Sequence, residues 1–176
     1  MILTIGIPTY NRGAKLESCL NNVASQITVD LQKKVSIVVA DNSSTDNTVD
    51  VVKSIKKKYN GVEIIYHQHE TNLGYDKNVN SLFYISETEY VMPLSDDDGL
   101  ESNAIKQILD HIENNRKASV FYISNNFYDY DFLEKVAVVD KFFQKVGSNK
   151  YFKNGYELFS CSDEIFGGIS GICVKR

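Results

Sequence analysis

The chain has 176 residues, 43% of them hydrophobic and 24% charged, which suffices for one domain with a real core. A formal net charge of -4 excludes a global positive field that would draw in nucleic acid or an anionic lipid surface. Three scattered cysteines, Cys19, Cys161 and Cys173, show neither a disulfide framework nor a zinc-ligand spacing, and suit a reducing compartment.

The elements alternate. Ile2 to Pro8 is apolar and β-branched and breaks at PTYNRG, predicting a strand and a loop. Leu16, Cys19, Leu20, Val23 and Ile27 then recur at spacings of three and four, the stripe of an amphipathic helix. Val35 to Ala40 is a continuous apolar run suited to a strand buried on both faces. The cluster DNSSTD follows, with Ser44 or Thr45 expected as helix cap and Asp46 in the first turn, and Val49, Val52, Ile55 and Tyr59 line a second helix. Val62 to His67 predicts a third strand, ETNLG a loop, and Tyr75 to about Ser86 a helix packed through Val79, Leu82, Phe83 and Ile85. Glu89 to Leu94 predicts a fourth strand, SDDDG its loop, and Ile105, Ile108, Leu109 and Ile112 a fourth helix starting around Ser102. Beyond a fifth strand at Ser119 to Ile123 the pattern loosens. A strand is expected at Val136 to Val139, a helix around Tyr151 to Phe159, and a strand at Ile169 to Lys175. No apolar run approaches membrane-spanning length, and the opening MILTIGIPTYNR turns polar too soon for a secretion signal.

Strands alternating with helices predict an α/β fold, a mostly parallel, Rossmann-like sheet with helices on both faces. Each of the first four strands ends in a polar cluster: PTYN, DNSSTD, ETNLG and SDDDG. In open α/β sheets ligands bind beyond the carboxyl ends of the strands, so the four clusters are expected to converge on one site.

Each cluster has a chemical reading beside a structural one. Asp96, Asp97 and Asp98 suit the N-terminal side of a helix, where the macrodipole favours negative charge. They also offer the hard oxygen donors that Mg²⁺ or Mn²⁺ takes together with phosphate oxygens. Asp41, placed right at a strand end, is suited to accept hydrogen bonds from a base N–H or a ribose hydroxyl. Pro8 and Asn11 are ordinary turn formers, whereas Tyr10 offers a ring on which a base can stack. Asn72 and Gly74 serve a turn or a close backbone approach to a ligand, with Lys77 and Asn80 on the following helix. His67 and His69 form an HxH pair without a visible third metal ligand, which favours a structural or surface role.

Taken in order, IPTYNRGAKLESCLNNVASQ, VVADNSSTDNT, ETNLGYDKNVN and YVMPLSDDDG resemble the family 2 glycosyltransferases, enzymes of GT-A fold that use nucleotide-sugars. The resemblance covers roughly the first hundred residues. It implies an inverting transfer of a sugar from a nucleoside diphosphate, most often UDP, to an acceptor hydroxyl on a saccharide or lipid-linked acceptor. Surface polysaccharide or glycan synthesis would be the setting, in the cytoplasm or at the inner face of a membrane. It also implies that Pro8 and Tyr10 frame the base and that Asp41 binds uracil or ribose. Asp96 would contact ribose, and Asp97, with Asp98 as its rival, would hold the metal-bound diphosphate. Relatives have Asp-x-Asp beginning where this chain has Ser95, so its carboxylates are shifted. The family's general base is a carboxylate usually found after the strand that GGISGICVKR resembles, and so is expected beyond Arg176. Asp163 and Glu164 are in-chain alternatives whose position fits poorly. Residues 1–176 therefore read as one nucleotide-sugar-binding domain truncated at its C-terminal end.

Two readings compete. DDDG superficially fits a haloacid-dehalogenase phosphatase with Asp96 and Asp98 as nucleophile and acid, although that motif normally ends the first strand of its fold. A non-catalytic nucleotide-sugar-binding module is the other.

Overall fold

The computed structural model describes residues 1–123, 127–128, 135–137 and 170–176. In chain order these hold β1 (Leu3–Thr9), α1 (Gly13–Gln26), β2 (Val35–Asp41), α2 (Thr48–Lys58), β3 (Glu63–Gln68), α3 (Tyr75–Ile85), β4 (Tyr90–Pro93) and α4 (Ala104–Asn114). Short strands follow: β5 (Val120–Tyr122), β6 (Phe127–Tyr128), β7 (Lys135–Ala137) and β8 (Ile172–Lys175).

Every residue of β1, β2 and β4 is buried, as befits strands of a sheet covered on both faces. The six-stranded sheet has the order β3-β2-β1-β4-β8-β5, and β6 pairs separately with β7. Strands β1 to β4 run parallel, while β8 lies antiparallel between β4 and β5. The sequence announces β8 but not its direction, because direction depends on how a strand is connected rather than on its own residues.

Odd and even positions face different cores. Leu3, Ile5, Ile7, Val35, Ile37 and Val39 pack against α1, α2 and α4 through residues such as Leu20, Val52 and Ile112. On the other face Val38, Ala40 and Val91 meet Leu82 of α3. Gly6 makes that approach possible, because a Cβ there would stand 3.0 Å from Leu82 Cδ1. Thr4 adds a polar seam on this face, its hydroxyl lying 3.0 Å from that of Ser36 and 2.8 Å from that of Thr88.

The termini of the helices depart from expectation. α2 begins at Thr48 rather than after Ser44 or Thr45, and its buried face runs through Val51, Val52 and Ile55, with Val49 only partly covered. α4 begins at Ala104, after Asn103 in the left-handed region at φ 67°. Of the expected strand at Val136 to Val139, the structure describes Lys135–Ala137. The expected helix around Tyr151 to Phe159 lies outside the described residues, as do Asp163 and Glu164.

Candidate functional site at the strand ends

The parallel register sets Thr9 beside Asp41 and Asp41 beside Gln68, so the polar ends of β1, β2 and β3 share one edge. Leu94 donates its backbone N–H to Gly6 carbonyl, which brings the aspartate loop after β4 to the same edge.

The three neighbouring carboxylates occupy three different environments. Asp96 is buried, accepting hydrogen bonds from Thr9 Oγ1 at Oδ2 and from Arg12 Nη1 at Oδ1, both at 2.7 Å. Asp97 is exposed, and its Oδ2 accepts from Arg12 Nη2 at 2.6 Å and from Lys15 Nζ at 3.4 Å. Ser95 Oγ holds its other oxygen at 2.6 Å. Asp98 accepts a hydrogen bond from Ser170 Oγ, which itself accepts the Ser95 N–H at 3.0 Å. Repulsion among the three is thus relieved by two cations and a set of hydroxyl donors.

Their ionisation differs accordingly. Burial pushes the Asp96 carboxyl above the usual range, against the opposing hydrogen bond of Thr9 and charge of Arg12. Burial also works against the charge on Asp97, but the hydrogen bonds from Ser95 and Arg12 and the charge of Arg12 outweigh it, holding that carboxyl at about 2.

Asp41 is fully buried, with Oδ1 accepting the Ser44 N–H at 2.9 Å and Oδ2 accepting the Tyr66 hydroxyl at 2.5 Å. Burial and the Asp41 carboxylate together drive the Tyr66 phenol upward, so it stays a donor. The loops after β1 and β2 are laced together by Asn11, whose N–H bonds Ser44 Oγ at 2.8 Å and whose Oδ1 accepts the Thr45 N–H at 2.7 Å. Asn11 and Ser43 both adopt positive φ, 51° and 70°, a strained backbone of the kind that accumulates at binding sites. With Ser44 and Thr45 bonded to Asn11, the first residue of α2, Thr48, is held by the Asp46 side chain instead. Its carboxylate accepts from Thr48 N–H and Oγ1 at 3.1 and 2.6 Å and from Gly13 N–H, at the start of α1, at 3.0 Å.

The loop after β3 is tied in by amides. Asn72 Oδ1 accepts from Asn42 Nδ2 at 2.8 Å and from the Gly74 N–H at 2.9 Å. Gly74 has φ 84° with open space where a Cβ would sit, so backbone conformation is what calls for glycine there. Pro8 is buried beneath the loop, Tyr10 is 43% exposed, and Lys77 and Asn80 stand exposed on α3.

Thr9, Arg12 and Asn78 are absent from the sequence-based list. Buried Asn78 donates from Nδ2 to the Ala40 carbonyl at 3.0 Å, and its Oδ1 lies 3.1 Å from His69 Nε2. His69 thus has a structural partner, and its ring meets that of His67 edge-on at 4.8 Å. The need of a triple aspartate for nearby positive charge is the signal that could have found Arg12.

Residues such as Asp97 and Asp98 fit a divalent ion by donor chemistry, since carboxylate oxygens are the ligands such ions prefer. No set of three or more His, Cys, Asp or Glu converges as a metal cage among the described residues.

The family model for Glycosyl transferase family 2 matches residues 4–168. The chain belongs to glycosyl transferase family 2. Within the family it is 32% identical over 105 residues to the abequosyltransferase RfbV of Salmonella typhimurium, covering 60% of this chain and 31% of that protein. It is 30% identical over 107 residues to the GalNAc(5)-diNAcBac-PP-undecaprenol beta-1,3-glucosyltransferase of Campylobacter jejuni, covering 61% and 33%. The chain therefore spans about a third of the length of these curated relatives. Among solved structures, S. aureus TarS 1-349 superposes with a TM-score of 0.62 at 28% identity, over 70% of this chain and 35% of that one. TarS has also been solved with UDP and with UDP-GlcNAc. A Pyrobaculum calidifontis mannosyltransferase, solved with GDP-Man and Mn²⁺, shares the fold with a TM-score of 0.63 at 19% identity, over 73% and 37%. The GT-A type of sheet is thereby shown. Family membership, together with the place of SDDDG after β4, removes the phosphatase reading.

Proposed function

We propose that this family 2 glycosyltransferase domain binds a nucleoside-diphosphate sugar, UDP first among nucleotides, and passes the sugar with inversion to an acceptor hydroxyl. The carrying observation is the convergence at one sheet edge, where Thr9 sits beside Asp41 in register and hydrogen-bonds Asp96. Four loops then offer a base platform, ribose acceptors and a cation-binding rim side by side.

In this reading Tyr10 stacks on the base over Pro8, and Asn11 holds the loop in shape. Asp41 is fully buried and each of its oxygens already accepts one hydrogen bond, so a base N–H or a ribose hydroxyl would take the place of the Tyr66 hydroxyl on Oδ2. Asp96 takes the ribose side, Asn72 and Gly74 shape the third loop, and Lys77 and Asn80 reach toward the phosphates. Asp97 and Asp98 would hold Mg²⁺ or Mn²⁺, which when bound would offset charge on the departing diphosphate. The nucleotide complexes of TarS support UDP. The undecaprenol-linked saccharide in the Campylobacter relative's name supports a lipid-linked acceptor in polysaccharide or glycan synthesis. Among the described residues no helix is long and apolar enough to cross a membrane, and work at the cytoplasmic face of one is the setting we propose.

Calorimetric titration of UDP, GDP and CDP with and without Mn²⁺ tests this reading. Metal-dependent binding that favours UDP is the expected result, followed by slow release of UDP from a UDP-sugar. Equal indifference to all three nucleotides would overturn it. Tight UDP binding with no turnover of any UDP-sugar would leave a binding module instead.

A further inference from the structure

We propose that Arg12, seconded by Lys15, is the resident counter-ion of the aspartate loop and yields only to a cation that arrives with a diphosphate. Metal and nucleotide then bind this domain together, each poorly without the other. The inference rests on the nucleoside-diphosphate reading given above.

Arg12 spreads its fork over two carboxylates, Nη1 to Asp96 at 2.7 Å and Nη2 to Asp97 at 2.6 Å, and Lys15 adds a second charge 3.4 Å from Asp97. Two positive charges face the three carboxylates of the loop, with Asp98 held by the Ser170 hydroxyl rather than by Arg12 or Lys15, so most of the attraction for a free divalent ion is already cancelled. To reach the inner oxygens it must also displace a guanidinium already making charge-assisted hydrogen bonds, and then stand beside that same cation. A diphosphate changes both conditions. Its oxygens match the planar donor fork of arginine and give Arg12 a new partner as the carboxylates are released.

The geometry suits such a handover. The oxygens that Arg12 grips are Oδ1 of Asp96 and Oδ2 of Asp97. Their partners on the same carboxylates are held independently, Oδ2 of Asp96 by Thr9 and Oδ1 of Asp97 by Ser95. The carboxylates therefore keep their places when the arginine leaves. Arg12 is 39% exposed in its side chain and sits directly before α1, so the guanidinium can swing while its backbone stays fixed.

Mn²⁺ titration of the whole protein, followed by electron paramagnetic resonance with and without saturating UDP, tests the handover. In the wild type, UDP is expected to tighten Mn²⁺ by at least about tenfold, with the reciprocal effect of Mn²⁺ on UDP. Arg12→Gln should tighten Mn²⁺ about tenfold in the absence of UDP and shrink the coupling by a similar factor. Lys15→Gln should act in the same direction but less, given its longer contact. If Arg12→Gln leaves free Mn²⁺ affinity unchanged or weaker while the wild type still binds UDP with Mn²⁺, the handover is wrong and the nucleotide reading survives. If the wild type binds no UDP under any condition, both fall. Arg12→Lys keeps a charge without the fork, and an intermediate shift is expected from it; it decides the matter should the glutamine variant melt below the assay temperature.

Discussion

Asp97 is the residue on which the proposed metal role is most exposed to test. Asp97→Asn keeps shape and the acceptor for Ser95 while removing the charge, so metal-dependent UDP affinity should fall at least about tenfold. The thermal midpoint should shift little, because the side chain is 39% exposed and its ion pairs are screened by solvent. Unchanged UDP affinity in Mn²⁺ would transfer the metal role to Asp98. Acid adds a second readout. The folded Asp97 carboxyl ionises at about 2, below its ordinary range, so the stability it contributes is present above that ordinary range and is lost as pH falls through about 2. Asp96, displaced the other way by burial, opposes this, favouring the fold most when protonated and giving up that contribution as pH rises through its raised value. Denaturant titrations across the acid range should show a shallower loss of stability for Asp97→Asn than for the wild type.

Between elements, what matters is how loops are pinned. Asn22 and Gln26 stand one turn apart on α1 and clasp the segment that follows the aspartates. Asn22 accepts the Leu100 N–H at 2.8 Å and donates to its carbonyl at 3.0 Å, while Gln26 donates to that carbonyl at 3.1 Å and accepts the Ala104 N–H at 3.1 Å. Asn22→Ala should cost roughly 1–2 kcal/mol, since it strands the Leu100 N–H while the Leu100 carbonyl keeps its bond from Gln26. It should also weaken metal-dependent UDP binding by loosening the loop, and denaturant midpoints beside calorimetry separate the two effects. This clasp was not legible in the sequence. The apolar stripe of α1, Leu16 to Val23, could be read from periodicity, but the partners of a polar residue depend on which loop the fold brings opposite. The same reason hid Asn78, which the sequence reading did not single out, and misassigned the start of α2 to Ser44 or Thr45. A serine followed by threonine and aspartate looks like a cap until Asn11, 33 residues earlier in sequence, claims it.

At the scale of the molecule, the sheet was readable because strand-like apolar segments alternate with helical stripes along the chain, and because the run from Val35 to Ala40 in β2 suits cover on both faces. The convergence of polar strand ends followed from the parallel arrangement alone. The reversed β8 did not, and neither did the unequal cover of the two faces among the described residues, with α1, α2 and α4 on one and α3 on the other. That inequality makes Leu82 a sensitive position. It is fully buried against Gly6, and Leu82→Ala should destabilise the domain by about 3 kcal/mol, as measured by chemical denaturation. A loss below about 1 kcal/mol would mean that the α3 face collapses to fill the space.

The carboxylate of Asp46 joins the amide of Gly13 to that of Thr48, so a single side chain pins the first turns of two helices. Local opening at either place must break the same clasp. The two amides should therefore lose protection from deuterium exchange as a pair, and any ligand that steadies one loop will be felt, through this rivet, by the other.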